Sequence, residues 1–227
     1  IRSNEDVAVN GNLNIYDSSE VNIYTNCAAA VNYDATITSK GDVTIESTDG
    51  RAAKNLTINK AEDVTISISD DERAVSEETK ITASGTVILK NNAPGGHVGT
   101  VTFKQADGKK YVYYTSEAED AKLIDPRIHP LPDTVESSYL RIEPRETYYS
   151  ITVANGTAQV GDDTTGQITT AFEGETVTVK ANAPTDEDAA KGVKFHHWKV
   201  EEGNTAFTLT DGKLGSKEEA GTEEISF

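Results

Sequence analysis

Methionine is absent from this chain of 227 residues, cysteine occurs once, and leucine is scarce at 8 residues. The lone Cys27 excludes an intrachain disulfide. No apolar run approaches the roughly 20 residues of a membrane-spanning helix, so no membrane insertion is expected of this fragment. Cationic side chains are few: 21 Lys+Arg against 38 Asp+Glu give 21 − 38 = −17. That balance excludes a nucleic-acid partner, because phosphate neutralisation needs clustered Lys and Arg. Phosphate-cradling Gly loops, a Gly-x-Ser-x-Gly elbow and a dinucleotide fingerprint are also missing. The abundant class is β-branched, with 28 Thr, 18 Val and 16 Ile. Such stiff side chains favour pleated strands and point to an all-β protein. The length suits one large domain or two modest ones. A start at Ile1-Arg2-Ser3 reads as an excised or processed piece. One cysteine in an acidic, β-rich chain fits an exported bacterial protein, extracellular or cell-wall-attached.

The β-branched residues are ordered. Leu13-Asn14-Ile15, Ala35-Thr36-Ile37, Leu56-Thr57-Ile58 and Thr79-Lys80-Ile81 form one series of triplets. Val21-Asn22-Ile23, Val43-Thr44-Ile45, Val64-Thr65-Ile66 and Val87-Ile88-Leu89 form a second. Both series advance by 22, 21 and 23 residues, and two series drifting in step mark a true repeat. Each repeat adds a small-residue patch: Ala28-Ala29-Ala30-Val31, then Ala52-Ala53, then Ala74-Val75. First and third residues of a strand triplet share a face, so Val, Leu and Ile point inward while Asn14, Thr36, Asn22, Thr44 and Thr65 point out. The pattern predicts a short right-handed parallel β-helix of about four coils and three faces. It resembles the solenoids of pectate lyases and of many bacterial adhesins and polysaccharide-binding proteins. A flat antiparallel sandwich competes, but gives no reason for two series to drift together.

After Leu89 the rhythm breaks at Asn91-Asn92-Ala93-Pro94-Gly95-Gly96. Residues 100–104 and 110–114 read as an antiparallel hairpin whose Phe103, Tyr111 and Tyr113 close the coil stack. Pro126, Pro130, Pro132 and Pro144 mark 116–147 as an extended proline-rich linker. The domain plan is thus 1–115, linker 116–147, and a second module over 148–227. Strand-like runs in that module start at Tyr149, Gln167, Thr176, Lys194, Ala206 and Glu224. Its Tyr149-to-Thr157, Phe172-to-Ala181 and Gly192-to-Trp198 motifs resemble the divergent internalin B-repeat-type module of Gram-positive surface proteins. The resemblance implies a small antiparallel, β-grasp-like fold, a spacer or adhesion role, and truncation near Ile225-Ser226-Phe227.

Candidate chemistry is sparse. Glu20, Asp42 and Asp63 each precede a second-series triplet and would stack on successive coils. Such a ladder repels itself unless it is solvated or bridged by a hard cation such as Ca²⁺, the only ion implied; plain turn chemistry is the other reading. His196 and His197 are expected to diverge, as neighbours in a strand do, rather than share zinc. Cys27 lacks basic neighbours and reads as a small buried hydrophobe. Tyr16 and Tyr24, with Asn22, Thr44 and Thr65, are the candidate ligand-binding residues on the outside. The expectation is a non-catalytic, adhesin-like surface or secreted fragment whose partner is a polysaccharide or a host-surface protein. A β-helix polysaccharide lyase or glycoside hydrolase is the alternative, though no basic column accompanies the acidic trio.

Overall fold

Alternation puts the first and third side chains of each triplet on one face, and burying that face at every turn winds the chain into a coil. A computed structural model describes residues 1–4, 6–26, 28–71, 74–106, 110–119, 121–145, 148–161, 163, 170–200 and 208–227. Two compact units emerge, Ile1–Glu146 and Thr147–Phe227.

Strands of the first unit are β1 (Arg2–Ser3), β2 (Leu13–Ser18), β3 (Val21–Thr25), β4 (Ala35–Ser39), β5 (Val43–Ser47), β6 (Ala53–Ala61) and β7 (Val64–Ile68). They continue as β8 (Val75–Ala83), β9 (Val87–Asn91), β10 (Gly99–Gln105), β11 (Lys110–Tyr114), β12 (Thr134–Val135) and β13 (Tyr139–Arg145). A seven-stranded sheet runs β1-β3-β5-β7-β9-β13-β11, and a six-stranded sheet runs β12-β10-β8-β6-β4-β2. From β1 to β9 in one sheet, and from β2 to β10 in the other, neighbours are parallel. This is a parallel β-solenoid of about four turns.

Register follows the two series residue for residue. Val21, Val43, Val64 and Val87 align across the seven-stranded sheet, as do Ile23, Ile45, Ile66 and Leu89. Ile15, Ile37, Ile58 and Ile81 align across the other sheet. Except for Ile15 on the outermost coil, these side chains are buried and form one continuous core. The third side is narrower. It includes the Val9–Val31 bridge, the pairing of Ala53 with Val75, and bonds from Ala30 N to Arg51 O, from Val31 N to Ala52 O and from Ala52 N to Ala74 O, each 2.9 Å. Alanine suits this side because a small side chain lets the turning backbone lie close to the core.

Two expectations fail here. Residues 100–104 and 110–114 are not a hairpin: β10 pairs with β8 as a further parallel rung, while β11 pairs with β13 in the other sheet. Residues 116–147 are not simply a linker, because β12 and β13 belong to the solenoid unit. The cause is burial. Leu140 and Ile142 lie opposite Leu89 and Val87, so an antiparallel strand continues the two apolar columns. Pro144 is compatible with this, since it lies beyond the last residue of β13 paired to β9. Phe103 and Tyr111 meet edge to face at 5.0 Å against the same end of the core. Burial raises the pKa of the Tyr111 and Tyr113 phenols.

The second unit holds β14 (Tyr148–Ser150), β15 (Gly156–Val160), β16 (Thr170–Phe172), β17 (Val177–Ala181), the short helix α1 (Asp186–Ala190) and β18 (Glu224–Ser226). They make two small antiparallel sheets, β14-β16 and β15-β17-β18. Val160, Ala171, Phe172, Val177, Val179 and Ile225 are buried. The run from Lys194 to Val200 forms no regular strand, and parts of the runs expected from Gln167 and Ala206 lie outside the described residues.

Candidate functional site

Inward Val21, Ile23 and Thr25 leave Asn22 and Tyr24 on the outer side of β3, and parallel register repeats that choice in the next strands. Two outer columns result. One reads Asn22, Thr44, Thr65, Ile88 and Arg141; the other reads Arg2, Tyr24, Glu46, Ser67 and Lys90. Successive rungs in such a sheet are ~4.8 Å apart, so like positions repeat at a fixed pitch. Glu20, Asn22 and Tyr24 are tied in line: the Tyr24 hydroxyl donates to Asn22 Oδ1 at 3.3 Å, and Asn22 Nδ2 donates to Glu20 Oε1 at 2.8 Å. Near the capped end, the Arg141 guanidinium lies 4.2 Å from the Tyr114 ring centroid and Lys90 pairs with Glu117 at 2.7 Å.

Four of the five proposed ligand contacts, Asn22, Tyr24, Thr44 and Thr65, therefore share this face. Tyr16 does not. It belongs to β2 of the six-stranded sheet, at 75% exposure. Next to it the Lys40 ammonium, 2.6 Å from Asp17, holds that carboxyl below the usual range.

Glu20, Asp42 and Asp63 do stand before successive strands, and their main chains continue the ladder through Val21 N to Asp42 O and Val43 N to Asp63 O, both 2.9 Å. Their carboxylates are directed to hydrogen-bond donors. Asp42 Oδ1 accepts from Asp63 N at 3.3 Å, and Asp63 Oδ1 accepts from Thr86 N at 2.6 Å. Each Asp thus satisfies a backbone N–H in the turn of the following coil. Among the described residues no three His, Cys, Asp or Glu side chains gather to hold a metal ion. Replacing Asp63 by Ala is expected to cost the solenoid about 0.5–1.5 kcal/mol, with Asn recovering most of it because an acceptor remains. Urea unfolding of the three proteins, followed by circular dichroism, checks this; equal loss for Ala and Asn would contradict the capping role.

The histidines depart from expectation. Because 194–200 is not a ladder-paired strand, period-two alternation does not separate the rings, and His196 Nδ1 lies 3.1 Å from His197 Nδ1. Phe195 and Trp198 are in contact at 5.3 Å between ring centroids, and Trp198 Nε1 donates to Thr222 O at 3.0 Å. The reading of Cys27 falls outside the described residues. Reasoning from sequence missed the Arg141–Tyr114 stack; the apolar-x-apolar triplet Leu140-Arg141-Ile142 was its available signal. No protein-family model matches this sequence, and comparisons with curated proteins and with solved structures likewise return no match.

Proposed function

We propose that this chain is a non-catalytic module of a cell-surface or secreted bacterial protein, adhesin-like in role. In it the outer face of the seven-stranded sheet binds a polysaccharide and the second unit acts as a spacer. The observation that carries the reading is the pair of in-register columns around Asn22, Tyr24, Thr44 and Thr65. A straight row of hydroxyl and amide groups at constant pitch suits a linear polymer that presents hydroxyls at regular intervals. Tyr24 adds a half-buried aromatic side chain whose hydroxyl is already oriented by Asn22. Phe195 packed on Trp198, within the motif that resembles the internalin B-repeat type, supports the spacer role.

A glycan array probed with the whole chain and with Tyr24→Ala tests the proposal. Binding to one or more linear glycans is expected, weakened about tenfold by the loss of an aromatic contact worth ~1.4 kcal/mol. Parent protein that binds no glycan, or binds equally well without the Tyr24 ring, would remove the carbohydrate reading of this face.

A further inference from the structure

We propose that His196 and His197 form a bidentate site for a borderline divalent transition ion, Cu²⁺ foremost, on the surface of the second unit. Their Nδ1 atoms are 3.1 Å apart, with ring centroids 5.3 Å apart and planes at 86°. Those separations place the two nitrogens between the rings, facing each other. Two ring nitrogens so placed offer a shared position to a cation with affinity for imidazole nitrogen. With metal–nitrogen bonds of about 2.0–2.1 Å, an ion equidistant from both nitrogens subtends an N–metal–N angle of about 100°. That angle falls between the square-planar and tetrahedral values, so cis coordination is unstrained.

The ion sits off the line joining the nitrogens, so each ring turns about its Cβ–Cγ bond, a broad torsion. His196 is exposed and His197 half-buried, which leaves room for that turn. The main chain on either side is fixed. His196 O accepts from Gly221 N at 2.7 Å, and Trp198 N donates to Leu214 O at 2.9 Å. Only the rings need to move. The net charge of −17 draws divalent cations toward the surface. Two neutral nitrogen donors then select among them, favouring Cu²⁺ and disfavouring Ca²⁺ and Mg²⁺, which seek oxygen. Among the described residues no third His, Cys, Asp or Glu joins the pair.

The test is a titration of the whole chain with CuCl₂ in a non-coordinating buffer, read by calorimetry and by electron paramagnetic resonance. One principal site with two nitrogen donors is expected. Both His196→Ala and His197→Ala should weaken it about tenfold or more, since each removes one of two nitrogen ligands. His97→Ala and His129→Ala should leave it unchanged, and excess Ca²⁺ should not compete. Absence of binding, a single-nitrogen spectrum, or an affinity that survives either substitution in the pair would overturn the proposal.

Discussion

Ile45→Ala is expected to destabilise the solenoid unit by about 2–5 kcal/mol, the range for a fully buried aliphatic side chain cut back to a methyl. Ile45 is 0% exposed and lies between Ile23 and Ile66, themselves 0% exposed. Both neighbours belong to strands held by parallel ladders, so they cannot close over the cavity without breaking register. Thr44→Ala, one residue away on the outer face, should change stability by only about 0.5 kcal/mol. Urea unfolding followed by far-ultraviolet circular dichroism measures the difference. The single tryptophan, Trp198, belongs to the second unit, so its fluorescence reports that unit separately. A loss below 1 kcal/mol for Ile45→Ala, on the scale where small-cavity changes usually begin, would mean that this column is not the tightly packed centre.

Gly41→Ala should cost about 1–3 kcal/mol, the usual penalty for forcing atoms into filled space. A Cβ at Gly41 would overlap the carbonyl oxygen of Ser19, which is backbone in the turn one coil earlier and has no flexible end to swing aside. The turns are joined on both sides of that position: Lys40 N donates to Ser18 O at 2.8 Å and Glu62 N to Gly41 O at 3.1 Å. Relieving the overlap therefore means separating two coils. At Gly85 a Cβ meets the Asp63 carboxylate first and the Glu62 carbonyl oxygen less closely, at 2.9 Å, so Gly85→Ala should cost less, chiefly the bond from Thr86 N that the carboxylate gives up in moving. Melting temperatures of the two variants order them; equal losses would show that the Ser19 backbone yields as easily as a side chain.

Which features were legible in the sequence depends on whether they obey the period. Parallel strands in register place the same residue type at the same height, so the Val and Ile columns appear in the sequence as fixed spacings. The extra rung obeys this as well, because Phe103 follows Ile81 by 103 − 81 = 22 residues. An aromatic in an aliphatic column, followed by a strand-like 110–114, disguised it as a hairpin. The antiparallel strand has no such law. Ile142 lies opposite Val87 at a separation of 142 − 87 = 55, which is no multiple of the repeat, and the prolines around it imitate a linker. Alternation correctly turned Tyr16 and Tyr24 outward, but does not say which sheet each decorates. The histidine pair was misread for a related reason: alternation governs side chains in a strand, and Lys194 to Val200 is not one.

The two ends of the solenoid unit would respond differently to tension along the chain. β1 is the outermost strand of its sheet and is held only by β3, whereas β13 lies between β9 and β11 and leads into the second unit. Force entering through β13 meets β11 over residues 141–145 and β9 over residues 139–142, in shear. Force entering through the first coil meets one neighbour at a margin and opens its few bonds in sequence. A pulled molecule is therefore expected to unwind from its amino-terminal coil first and to lose β13 late.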